Sequence, residues 1–144
     1  MQSRSDPGET AARHAAYRAT AFRVDAPGGG FDLRIGARAP ELDALLDVAG
    51  AQCWAYVTAH NPGGRLRDAA ANEADQRRLA ERVRRTGLTA IAGRGIGANG
   101  GWPPEESLLI LDLARDAAIA LAREFGQEAL VAGNRGGVAE LVFC

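Results

Sequence analysis

The residues of this chain that could do chemistry sit in a few short polar places, each at the end of an apolar run. The first is Thr58-Ala59-His60-Asn61-Pro62-Gly63-Gly64, directly after Trp54-Ala55-Tyr56-Val57. Asn72 lies eleven positions after Asn61, and Trp102-Pro103-Pro104-Glu105-Glu106-Ser107 precedes the run Leu108-Leu109-Ile110-Leu111. Gln127 follows Gly126 just before another apolar segment. Amides both donate and accept, so Asn61 and Asn72 suit the orienting of a polar ligand, while Gln127 either caps carbonyls of the preceding helix or faces the same crevice. In a strand, Glu105 and Ser107 point to the same side of the sheet. Glu105 is the first choice for a general base, with His60 second and Glu105 or Glu106 available to orient it. Trp102 would supply an apolar wall or a stacking face.

These residues define no known reaction. Ser107 is the only Ser beyond Ser3 and Ser5, and no G-x-S-x-G surrounds it. Gly95-Ile96-Gly97-Ala98-Asn99-Gly100 matches a dinucleotide fingerprint, but Trp102-Pro103-Pro104 and an apolar run follow where a helix would have to begin. One His at the turn, without an H-x-x-x-H or C-x-x-C partner, argues for no metal. No cofactor is implied.

The elements that must position these residues are legible in part. Residues 1–14 are polar, contain Pro7 and Gly8, and read as a loose tail; residues 15–144 read as one globular α/β domain. Alternation in Tyr17–Val24 and Phe31–Ile35 around Pro27-Gly28-Gly29-Gly30 predicts a hairpin. Pro40 opens a helix with the stripe Leu42, Leu45, Leu46 and Ala49, closed by Gly50. After the Trp54–Val57 strand, Asp68 caps a helix reaching about Thr86, where Gly87 stops it. Its apolar stripe of Leu79 and Val83 continues backwards through Gln76 to Asn72, which puts an amide on the buried face beside the Asn61 turn. Leu88–Ala92 reads as a strand, followed by a Gly-rich loop. Leu108–Leu111 is a strand buried on both faces. A helix from about Ala114 to Phe125 precedes a C-terminal hairpin of Ala129–Ala132 and Val138–Phe143. The order ββαβαββαββ predicts a mixed sheet with about three packed helices.

Composition narrows the setting. Of 144 residues, 47% are hydrophobic and 24% charged, as in an ordinary globular protein. A net charge of −1 gives no global attraction to nucleic acid or to a membrane surface. Arg77, Arg78, Arg82, Arg84 and Arg85 are interleaved with Glu73, Asp75 and Glu81 and read as a solvated helix face. Cys53 and Cys144 form no disulfide or metal spacing, and no apolar stretch approaches a membrane span, so a reducing cytoplasm is expected.

Several of these motifs belong together. Val57-Thr58-Ala59-x-Asn61-Pro62 with Asn72, Tyr17-Arg18-Ala19-Thr20, Gly95 with Trp102-Pro103-x-Glu105-x-Ser107, and Phe125-Gly126-Gln127-x-Ala129 occur in order. In this the chain resembles an uncharacterised bacterial family, the domain of unknown function 3293 family, from Tyr17 to its last residue. It departs at Gly63-Gly64-Arg65, where members often carry a bulky residue, Ser and Gln, and at Ala114, where a Ser or Thr helix cap is usual. The resemblance implies no activity, substrate or cofactor. It does select Thr58, Asn61, Asn72, Trp102, Glu105, Ser107 and Gln127.

Two functions of different class follow. The first is a small polar or phosphorylated, nucleotide-like ligand held between Thr58–Gly64, Asn72, Glu105–Ser107 and Gln127, with backbone N–H groups before Asp68 taking an anion. The second is a protein-interaction module that pairs the edge ending Val142-Phe143-Cys144 with a partner or a second copy, the polar cluster merely bracing loops.

Overall fold

A computed structural model describes residues 7–98 and 102–144. The Trp54–Val57 run forms the middle of β3 (Cys53–Thr58), which pairs on either side with β5 (Glu105–Leu111) and β6 (Ala129–Asn134). With β1 (Ala21–Val24), β2 (Phe31–Leu33), β4 (Ala90–Ile96) and β7 (Glu140–Phe143) it makes a seven-stranded sheet in the order β2-β1-β4-β5-β3-β6-β7. Four helices accompany it: α1 (Pro7–Arg18), α2 (Pro40–Ala49), α3 (Ala69–Arg84) and α4 (Arg115–Glu124).

The chain is thus α/β. Every ladder is antiparallel, and the expected mixed character survives only in an isolated parallel bridge, Ile35–Ala139. The reason lies in what is inserted between the strands. α3 joins β3 to β4 and α4 joins β5 to β6; each pair runs parallel but is split by one antiparallel strand. Two such units interlock as β3-α3-β4-β5-α4-β6, the split β-α-β arrangement of ferredoxin-like folds.

The central strands bury both faces, as their unbroken apolar runs require. Ala55, Val57, Leu108 and Ile110 face a core completed by Leu79 and Val83 of α3 and by Ala118, Leu121 and Ala122 of α4. Trp54, Tyr56, Leu109 and Leu111 face a second core with Phe22, Val24, Leu33 and, from α2, Leu42 and Leu46. The sheet curls around this second core until Gly36 N–H donates to the Ala139 carbonyl (2.8 Å) and Ala139 N–H to the Ala37 carbonyl (3.0 Å).

Two boundaries differ from the sequence reading. The segment expected as a loose tail and the start of a hairpin is helical from Pro7 to Arg18. Ala11, Ala12, Ala15 and Ala16 are the best helix formers, and their small size also mimics strand alternation. Thr20 ends this helix, its hydroxyl donating to the Ala16 carbonyl (2.7 Å), and only Ala21–Val24 is strand, with Phe22 and Val24 buried as the alternation requires.

The Gly-rich stretch after Ala92 is not all loop, because β4 runs to Ile96. Asn99 and Gly100 of the dinucleotide-like motif lie outside the described residues, as do residues 1–6 of the expected tail. Composition hides this strand, but contact demands its first glycine. A Cβ on Gly93 would lie 1.9 Å from the Arg23 carbonyl oxygen and 2.8 Å from the Tyr56 hydroxyl, which itself donates to that carbonyl (2.7 Å). Gly95 has no such neighbour, the nearest atoms to its Cβ being 3.9 Å away.

This contrast gives a paired prediction. Gly93→Ala should lower unfolding free energy by about 1–3 kcal/mol through overpacking. Gly95→Ala should change it by less than about 0.5 kcal/mol. Urea denaturation of both variants measures the difference, and equal effects would contradict the contact geometry.

Candidate functional site

The carboxyl end of β3, the entrance of β5 and the turn after α4 meet at one end of the sheet. Asn61 makes this possible by adopting a left-handed conformation (φ 48°, ψ 59°), one of two positive-φ non-glycine residues among those described. The turn then continues through Gly63 and Gly64, both at φ 70°, where glycine is favoured.

Three elements hold the turn. From α3, the Asn72 amide clamps Asn61: the Asn61 backbone N–H donates to Asn72 Oδ1 (2.8 Å), and Asn72 Nδ2 donates to Asn61 Oδ1 (2.9 Å). Gln76 Oε1 accepts from the Ala59 N–H (3.1 Å). The stripe running from Leu79 back to Asn72 is buried throughout, as its spacing predicts. Asp68 caps this helix, accepting from the Ala70 N–H (2.8 Å). From the turn after α4, Gly126 accepts from the Gly63 N–H (2.9 Å), and Gln127 Nε2 donates to the His60 carbonyl (3.0 Å). From β5, Glu105 Oε2 accepts from Asn61 Nδ2 (2.7 Å).

Arg67, which sequence reasoning missed, ties the far side of the turn. Its backbone N–H donates to Asn61 Oδ1 (3.1 Å), and its guanidinium donates to Asn72 Oδ1 (2.8 Å), the Ala71 carbonyl and Asp75. Its position five residues before Asn72 is the only trace it leaves in the sequence. Arg67, and then Arg78, hold the Asp75 carboxyl below its ordinary range, against a desolvation that works the other way.

A crevice of about 560 Å³ opens beside this frame. Six of the seven residues selected from the sequence line it: Thr58, Asn61, Trp102, Glu105, Ser107 and Gln127. Asn72 does not; it is buried behind Asn61 and acts on the crevice through it. Arg13, Ala16 and Tyr17 of α1, at the i, i+3, i+4 spacing of one helix face, complete the wall together with Thr20 just beyond the helix end. The expectation of a loose tail concealed their part in it.

Within the crevice the polar groups differ in how far they are occupied. The Thr58 hydroxyl donates to the Glu106 carbonyl (2.6 Å) and accepts from the His60 N–H (3.1 Å). The Ser107 hydroxyl donates to the Glu105 carbonyl (3.0 Å). Glu105 Oε2 receives a second donor, Trp102 Nε1 (3.2 Å), whereas Oε1 accepts no hydrogen bond from a described residue. His60 Nε2 is the single buried side-chain polar atom without a hydrogen-bond partner among the described residues. Among the described residues no hydrogen bond joins His60 to Glu105 or Glu106. Tyr17 has its phenol pKa raised by burial and by the nearby Glu128 and Glu105 carboxylates. Burial chiefly does the same to Tyr56.

Part of the anion site expected at the start of α3 is otherwise occupied. The Gly63, Gly64, Arg67 and Ala70 N–H groups donate to Gly126 O, Asn61 O, Asn61 Oδ1 and Asp68 Oδ1. Among the described residues no group of three or more His, Cys, Asp or Glu side chains is placed to hold a metal ion, and no helix is long and apolar enough to cross a membrane.

Fold and site together define a small α/β protein with an interlocked split β-α-β core and a polar crevice at one end of its sheet. It belongs to the family described as a protein of unknown function (DUF3293), whose model matches residues 57–130, half of the chain. No curated protein and no solved structure matches it.

The clamp predicts two stability effects. Asn72→Ala strands the Asn61 N–H in a buried site and should cost about 1–3 kcal/mol in urea denaturation. Asp75→Asn should lower the Tm at pH 7. Because the folded carboxyl has the lower pKa, its contribution is present above the unfolded value of about 4 and is lost as pH falls through the folded one. The Tm deficit of the variant should therefore close in acid, and a deficit that stays constant would contradict the ion pairing.

Proposed function

We propose that this chain is a cytosolic domain that binds a small polar ligand in the crevice between the Thr58–Gly64 turn, the entrance of β5 and α1. The observation that carries this reading is the Glu105 carboxylate. One of its oxygens is fixed by Asn61 and Trp102, and the other accepts no hydrogen bond from a described residue on the wall of an open crevice. A bracing carboxylate would be expected to have both oxygens engaged. His60 lines the same crevice, and its buried Nε2, without a partner among the described residues, supports the same reading. The volume falls within the range of about 300–1,000 Å³ usual for ligand pockets. If the ligand is transformed as well as held, Glu105 is the acceptor that would take its proton.

A phosphorylated ligand has less support, since the Gly63, Gly64 and Arg67 N–H groups of the turn already donate within the protein. The protein-interaction alternative also has less. Val142 is buried at the C-terminal edge, and Phe143 stacks on His14 with centroids 5.0 Å apart and meets Tyr17 edge-on. That edge is covered in part by the protein's own first helix.

A thermal-shift screen against amino acids, amines, sugars, nucleosides and their phosphates tests the reading. A compound at 100 times its dissociation constant should add about 2.7 kcal/mol of stability. It should also alter the fluorescence of Trp102, which is 40% exposed, while the buried Trp54 serves as an internal constant. Glu105→Ala should abolish both responses with the fold intact. Hits that persist undiminished in Glu105→Ala, or a silent screen, would sink the proposal.

A further inference from the structure

The charge on the crevice wall says which polar ligand fits. Two carboxylates, Glu105 and Glu128, lie on the described lining, and the only guanidinium or ammonium there is that of Arg13. Arg13 already pairs with Glu128 at 3.2 Å. That leaves the charge of Glu105 to be met, and its Oε1 is an acceptor with no donor among the described residues. The rest of the wall is largely apolar or aromatic, including Tyr17, Phe22, Tyr56, Val131 and Leu141. Trp102 closes one side with its ring exposed and its N–H spent on Glu105. An anion would face carboxylate repulsion there, and the N–H groups of His60, Asn61, Gly63 and Gly64 on the lining turn already donate within the protein. A donor cation would gain a charge-assisted hydrogen bond and aromatic faces against which to lie.

Resting on the crevice reading above, we propose that the ligand is a cation of the amine, amidine or guanidine class carried on an apolar body. Its protonated nitrogen donates to Glu105 Oε1, and its body lies along Tyr17, Phe22 and Leu141. Asn61 acts as a positioning residue: by holding Oε2 it fixes which carboxylate oxygen the cation meets. Tyr17 agrees with this assignment, since both carboxylates act on its phenol.

Three probes that share one body and differ in charge provide the test: 3-phenylpropylamine, 3-phenylpropan-1-ol and 3-phenylpropionate. Each is titrated into the intact protein by ligand-observed NMR and by Trp102 fluorescence. The amine should bind about tenfold or more tighter than the alcohol, and the carboxylate weakest. In Glu105→Gln, which keeps the shape and removes the charge, the amine and alcohol should agree within about threefold while alcohol binding is retained. A loss of all binding in this variant would mean that the site had collapsed and would overturn the assignment, and Glu41→Gln, at an exposed carboxylate of α2 away from the crevice, is run beside it and should keep the amine preference. Equal binding of the three probes, or preference for the carboxylate, overturns the cation assignment and leaves the crevice standing as a binding site. Binding of none of the three also overturns it. The crevice reading then falls as well only if the broad polar screen is silent by the same fluorescence readout.

Discussion

One buried clamp fixes everything at the polar end of this protein. The Asn72 side chain gives its carbonyl to the backbone N–H of Asn61 and its amide hydrogen to the Asn61 side chain. Both residues are buried, at 4% and 6% exposure, so neither amide can exchange its partner for solvent without exposing the other. Asn61 can then hold a left-handed backbone that would cost an ordinary residue about 1–2 kcal/mol. With its carbonyl taken by Asn72 and Arg67, the remaining Asn61 amide points its donor at Glu105. The position of the carboxylate therefore depends on a helix residue that never touches the crevice.

The crevice depends equally on what is missing from the sheet. β4 pairs with β1 through Gly93–Val24 and Gly95–Phe22, so it presents two glycines on the face where its neighbours present large side chains. Gly93 spends that absence on close approach, bringing the Tyr56 hydroxyl to the Arg23 carbonyl. Gly95 spends it on open space, and it lines the crevice. One period-two pattern thus serves packing at one position and access at the next.

What the sequence made legible follows from how local each signal is. The buried stripe of α3, including its polar members Asn72 and Gln76, was readable because helical spacing alone puts them in line with Leu79. The joint placement of Glu105 and Ser107 needed only strand alternation, and they line the crevice together. Pairing direction was not readable, because helices alternating with strands look the same whether the joined strands are neighbours or are split by a third. α1 was hidden because its alanines fit both helix and strand patterns, and Arg67 because its contacts depend on a turn conformation that spacing does not encode. The use of the turn N–H groups could not be read either. A Gly-rich turn before a helix announces free donors, and only the fold shows Gly126 and the Asn61 carbonyls taking them.

The extent of the family model sharpens the division of labour within the site. Residues 57–130 run from the end of β3 through α3, β4, β5 and α4 to the start of β6 and contain Thr58, Asn61, Asn72, Trp102, Glu105, Ser107 and Gln127. The opposite wall, with Arg13, Tyr17, Phe22 and Leu141, comes from elements outside that segment. The carboxylate and the clamp that aims it thus belong to the part that defines the family. The apolar surface that would meet the body of a ligand is supplied by a helix and strands laid over it. A framework of this kind separates what anchors a ligand from what shapes it, so that α1 can change the size and polarity of the crevice without disturbing the hydrogen bonds that place Glu105.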